Sequence, residues 1–154
     1  MPNYRTHVRF NLLIALPCVV AGTYYFHEPS QPFLITFIIA FFYGTCFMNP
    51  DLDLIHQIKL FSVRGMLTLP FRFYSKMFKH RGLSHSIFFG TATRILWLCG
   101  VTFFLFYLVY QTIPSEKTFL IYLFHYKFYL LYGLAGLLLA DLCHIALDYR
   151  NINR

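Results

Sequence analysis

The sequence predicts an all-α integral membrane domain: a bundle of about four transmembrane helices, with an interfacial amphipathic helix between the second and third. Two observations carry this. Of the 154 residues, 58% are hydrophobic and only 12% charged, against roughly a quarter charged in ordinary soluble domains. Such a chain cannot cover a water-facing surface with charge and needs lipid as part of its solvent. The second observation is the sorting of lysine and arginine into alternate connecting segments, which fixes how the spans thread.

A spanning helix needs about 20 largely apolar residues. The first candidate is 11–26, short and interrupted by Pro17. Arg5 and Arg9 precede it, and Val20-Ala21-Gly22 loosely resembles a cleavage site, so it also has the outline of a signal peptide. An uncleaved anchor is the better expectation, because three further spans follow and His7 belongs with the polar residues discussed below. The second span is 33–48. The third is 86–110, with Arg94 inside it. The fourth is 119–147, long enough to tilt or to break near Gly133 and Gly136.

Between the second and third spans, 54–79 is too polar to cross a bilayer. Phe71, Tyr74 and Phe78 recur at helical spacing, as do Arg72, Lys76 and Lys79. This predicts a helix lying in the interface, aromatic residues among the headgroups and cations facing phosphates. Arg5, Arg9, Lys59, Arg64, Arg72, Lys76, Lys79, Arg81, Arg150 and Arg154 all fall to one side of a four-span chain; the connections on the other side hold only Lys117. The positive-inside rule makes the basic side, with both termini, cytoplasmic. The formal net charge of +7 therefore points to anionic lipid headgroups as partner. No nucleic-acid reading motif accompanies it, so nucleic acid is not expected. Cys18, Cys46, Cys99 and Cys143 form no CxxC pair and read as small buried side chains.

The polar residues sort as well. All four aspartates, Asp51, Asp53, Asp141 and Asp148, lie at expected cytoplasmic helix ends, with His7, His80, His85 and His144; His56 is nearby, whereas His27 and His125 fall on the opposite side. Pro50 disfavours helix at Asn49, so Asp51 and Asp53 leave the second span in a turn where both carboxylates can approach one cation. In His80-Arg81-Gly82-Leu83-Ser84-His85, Gly82 permits a sharp turn and Ser84 is a natural N-cap for the third span. Asp141, His144 and Asp148 are spaced i, i+3, i+7 and share one helix face. Acidic residues in a span usually face the bundle interior or a cavity, and an Asp/His stripe is what a metal site between helices requires. His7 joins them by sharing their face, and Asn11, one turn on, is placed to orient it. Alone, Asp51 and Asp53 read more plainly as a solvated helix end and His7 as an ordinary interfacial residue; for His80 and His85 the basic-loop and site readings balance, and the periodic Asp141, His144 and Asp148 favour a site by themselves. Mixed imidazole and carboxylate donors suit Zn best, with Mn or Fe as alternatives.

These segments resemble a family of uncharacterised metal-binding integral membrane proteins, related to membrane-bound metal-dependent hydrolases. The resemblance rests on Thr6-His7, Pro50-Asp51-Leu52-Asp53, His80-Arg81-Gly82-Leu83-Ser84-His85, Gly90-Thr91 with Arg94, and Asp141, His144 and Asp148. It implies metal coordination at the His and Asp positions, with Arg94 part of the pattern, and by name it implies hydrolysis. The expected function is thus a metal-dependent hydrolase at the cytoplasmic membrane face. Its expected metal ligands are His7, Asp51, Asp53, His85, Asp141 and His144. His80 or Asp148 would serve as general base, and Arg81 and Arg94 would hold an anionic group, which favours a phosphoester or lipid headgroup; Arg94 also reads as a snorkelling or structural arginine, or as the partner of an aspartate. A metal transporter or sensor is the alternative, as is a structural metal-binding membrane protein. Transport usually places ligands near the bilayer midplane, and here they crowd one end.

Overall fold

The computed structural model describes residues 4–48, 58–77 and 87–152. Among them every regular element is helical: α1 (Tyr4–Phe10), a π-helical turn (Asn11–Ala15), α2 (Leu16–His27), α3 (Gln31–Cys46), α4 (Val63–Leu67), α5 (Phe71–Met77), α6 (Ile87–Tyr110), α7 (Glu116–His125) and α8 (Lys127–Ile152).

Pro17 does not interrupt the first helix. Proline removes one backbone donor and crowds the carbonyl four residues earlier. Here the π turn precedes it, with the Leu16 N–H reaching Asn11 O, and Pro17 follows in the first turn of α2. The helix therefore runs on from α1 to His27. It ends at Glu28, in the left-handed conformation (φ 41°), whose N–H caps Tyr24 O. Ser30, in extended conformation, and Pro32 then start α3.

Among the described residues, three helices are long and apolar enough to cross a bilayer: Arg5–His27, Phe89–Tyr110 and Lys127–Tyr149. The fourth apolar helix, α3, has 16 residues and a length of about 24 Å at 1.5 Å per residue, short of a hydrocarbon core of about 30 Å. The expected fourth span over 119–147 is corrected in its start. The helix breaks at Tyr126, leaving α7 as a separate element, and runs unbroken through Gly133 and Gly136.

Those glycines serve packing instead. α3 and α8 run parallel: Phe33 stacks on Tyr132, and Gly44 lies against Ala140. Small residues let membrane helices approach closely, and Gly136 marks the tightest point, where a Cβ would sit 2.6 Å from Phe37 O. We expect Gly136→Ala to cost about 1–3 kcal/mol, as overpacking does, because the obstacle is backbone. Gly133→Ala, whose Cβ would meet only Thr36 Cγ2 at 3.9 Å, should be tolerated. Unfolding of detergent-solubilised protein by SDS titration compares the two; equal effects would refute the close crossing.

The segment expected as one interfacial helix holds two short ones among its described residues. Pro70 disfavours helix at Leu69 and separates α4 from α5. Ser62 caps α4 by accepting the Gly65 N–H at 3.0 Å. Phe71 and Tyr74 do not lie among headgroups. Both are fully buried with Met48, against Trp97 and Leu137, the Tyr74 hydroxyl meets Thr93 Oγ1 at 2.8 Å, and Trp97 Nε1 donates to Pro70 O. Helical spacing identified a common face, and that face packs on α6. Phe78 and Lys79 lie outside the described residues.

Candidate metal centre

The polar end of the bundle is built on a register between two antiparallel helices. Asn11, fully buried, donates from Nδ2 to Ala140 O at 3.1 Å and contacts Thr45 Oγ1 at 3.3 Å. This ties the π turn to α8 and α3. One turn back along α1 is His7, and one turn forward along α8 is His144. The two imidazoles stack, with ring centroids 4.0 Å apart and 16° between planes.

Asp148 sits across both rings. Its Oδ1 is 3.2 Å from His7 Nε2 and its Oδ2 is 3.6 Å from His144 Nε2. One donor atom from each of these three residues fits within a mutual separation of 4.8 Å. A tetrahedral shell of radius about 2.1 Å spaces neighbouring donors about 3.4 Å apart; each imidazole lies near that distance from one carboxylate oxygen, His7 from Oδ1 and His144 from Oδ2, within a set that spreads up to 4.8 Å. The imidazole side chains are 3% exposed and the Asp148 side chain 16%; the group is shielded on the histidine side and open at the carboxylate.

A second polar group lies one to two turns deeper. Arg94, on α6, is fully buried. Its Nη2 donates to Asp141 Oδ2 at 2.7 Å and Nη1 to Oδ1 at 3.3 Å. Nε donates to Gly90 O, and Nη1 also donates to Met48 O. Thr91 Oγ1 donates to Asp141 Oδ2. Burying a charge is expensive unless it is paired and its remaining donors are satisfied. The fork of Arg94 meets both conditions, and joins α6 and α8 to the residue just beyond α3.

The model of the uncharacterized metal-binding protein family (DUF2227) matches residues 2–153. The chain belongs to this family. A protein of Aquifex aeolicus (strain VF5), described as "Uncharacterized protein", is 33% identical over 144 residues, covering 77% of this chain and 91% of the relative. No solved structure matches.

In this DUF2227 member the residues singled out from the sequence divide three ways. His7 and His144, expected as ligands, and Asp148, expected as a base, come together. Asp141, expected as a ligand, and Arg94, expected to hold an anionic group, are paired with each other. Asp51, Asp53, His80, Arg81 and His85 lie outside the described residues. Thr91 enters the sequence reading only within the family pattern, with no role of its own, although its place one turn before Arg94 puts it on the same helix face. Nothing in the sequence marks Thr45 or the Met48 carbonyl, since a hydroxyl or a backbone oxygen near a span is commonplace.

Proposed function

We propose that the chain is a membrane metalloprotein whose His7, His144 and Asp148 hold one divalent cation, and that it works as a metal-dependent hydrolase on a phosphoester such as a lipid headgroup. One observation carries the reading: two imidazoles and a carboxylate, from helices far apart in sequence, converge at metal-ligand spacing. Two nitrogens and an oxygen suit Zn, with Mn or Fe as alternatives. Three protein donors are also the number that catalytic zinc sites use while keeping a position open. When bound, the metal supplies a Lewis acid that polarises the bond under attack and acidifies water. The chain's own contribution is position: Asn11 holds the His7 turn against α8, and the Arg94–Asp141 pair holds α6 against it. His80 and Arg81 are proposed to face the substrate.

The same reading counts α3 as a fourth span, since it lies parallel to α8 and a short helix can be matched by local thinning of the bilayer. It puts the metal end, with both termini, in the cytoplasm, because Arg5, Arg9, Lys59, Arg64, Arg72 and Lys76 accompany it. A second reading, a structural metal tie between α1 and α8, is favoured by the near-complete enclosure of both imidazoles.

Elemental analysis of protein purified in mild detergent tests the first step. We expect about one Zn or Mn per chain, lost in His144→Ala and Asp148→Ala; metal-free wild type after loading would end the proposal. A screen of phosphoesters then separates the readings. Turnover that requires the metal supports the hydrolase, and retained metal without turnover of any ester leaves the structural tie.

A further inference from the structure

The α4–α5 hairpin has a surface that neither water nor hydrocarbon alone solvates. Residues 58–77 carry Lys59, Arg64, Arg72 and Lys76 and not one acidic residue. Lys59 and Lys76 are exposed. Beside them stand bare aromatic side chains: Phe61 is 90% exposed and Phe73 69%, with Lys76 Nζ 5.8 Å from the Phe73 ring centroid. The hairpin is also fixed in place. The contacts of Tyr74 with Thr93 and of Trp97 with Pro70 O fasten it to α6, and Arg72 Nη2 donates to Ile58 O at 2.7 Å, closing its base. Its anchor points, Thr93 and Trp97, lie within about the first three turns of α6, the helix read as a span.

We propose that this hairpin is a docking surface for the phosphates of an anionic leaflet, with Phe61 and Phe73 inserted among the chains and Lys59 and Lys76 on the phosphates. Charge complementarity commits it to an anionic lipid. An all-basic segment gains attraction from such a surface, whereas zwitterionic lipid offers only the apolar half of the contact. The inference does not depend on the metal centre or on hydrolysis.

Trp97 is the chain's single tryptophan and packs against the hairpin, so its fluorescence reports on lipid there. The whole chain, reconstituted in vesicles, is titrated with brominated phosphatidylglycerol against brominated phosphatidylcholine, and Trp97 quenching gives the relative affinity. Each exposed lysine is expected to favour the anionic lipid about fivefold at low salt, the factor equivalent to ~1 kcal/mol per basic residue near an anionic surface. The preference should fade in about 1 M salt, where the Debye length is about 3 Å. It should fall towards equality in Lys59→Gln/Lys76→Gln and persist in Lys59→Arg/Lys76→Arg, which guards against a folding defect. Lys117→Gln/Lys127→Gln, at the other end of the bundle, should leave it unchanged. Equal quenching of wild type by both lipids overturns the proposal. So does equal loss in the two glutamine pairs. If the hairpin instead binds an acidic protein, the vesicle preference is absent and the proposal fails.

Discussion

Replacing Arg94 with methionine should destabilise the chain by about 3–5 kcal/mol, the range for a buried ion pair that loses one partner. The cost comes from what is left behind. Asp141, 2% exposed, would keep a hydrogen bond from Thr91 but no cation, and Met48 O would lose the donor that ties the residue just past α3 to α6. Arg94→Met/Asp141→Leu should be less damaging than Arg94→Met alone, since no uncompensated charge remains. Arg94→Lys should rescue poorly, because an ammonium cannot serve both carboxylate oxygens and two carbonyls from one planar fork. Unfolding by SDS titration in detergent, run as a double-mutant cycle, measures the coupling. Arg94→Met costing under about 1 kcal/mol, or the double variant falling below the single by the full cost of each change, would show that the pair does not hold the helices.

Saturating metal should raise the stability of wild type by about 2.7 kcal/mol at a free concentration 100 times its dissociation constant, through preferential binding to the folded state. The increment should vanish in His7→Ala and His144→Ala and reverse in wild type on chelation. Either variant will also lose packing, because the rings stack on one another. The metal-dependent increment, measured with and without cation for the same variant, is independent of that loss. An increment that survives in His144→Ala would place the cation elsewhere. No increment in wild type would reduce the three residues to a carboxylate shared by two imidazole donors.

Much of this architecture is legible in the sequence for one physical reason. Within a bilayer every backbone polar group must be satisfied inside its own helix, so long apolar runs declare helices directly. The i, i+3, i+7 spacing of Asp141, His144 and Asp148 likewise declares a common face. What spacing cannot declare is the partner of each residue along that face. Asp141 meets Arg94 because α6 crosses α8 there, whereas His144 and Asp148, one and two turns further on, meet His7 on α1. That division depends on the rotation of three helices about their axes. The aromatic residues of α5 show the same limit: Phe71 and Tyr74 were legible as one face, but the side of the helix that met protein had to come from tertiary packing. Gly133 and Gly136 were ambiguous between breaking a helix and admitting a neighbour, and the Phe37 carbonyl beside Gly136 decides for the neighbour.

The ladder that sets Asn11 against Ala140 and His7 against His144 also imposes a schedule. Translation makes His7 long before His144 and Asp148, so the group stays incomplete until α8 has been made. If the proposed centre holds metal, capture could begin only after α8 has joined the bundle and matched its turns to those of α1. A bound cation would then mark a chain whose last helix is in place, and a chain stalled before α8 would be unable to compete for the metal.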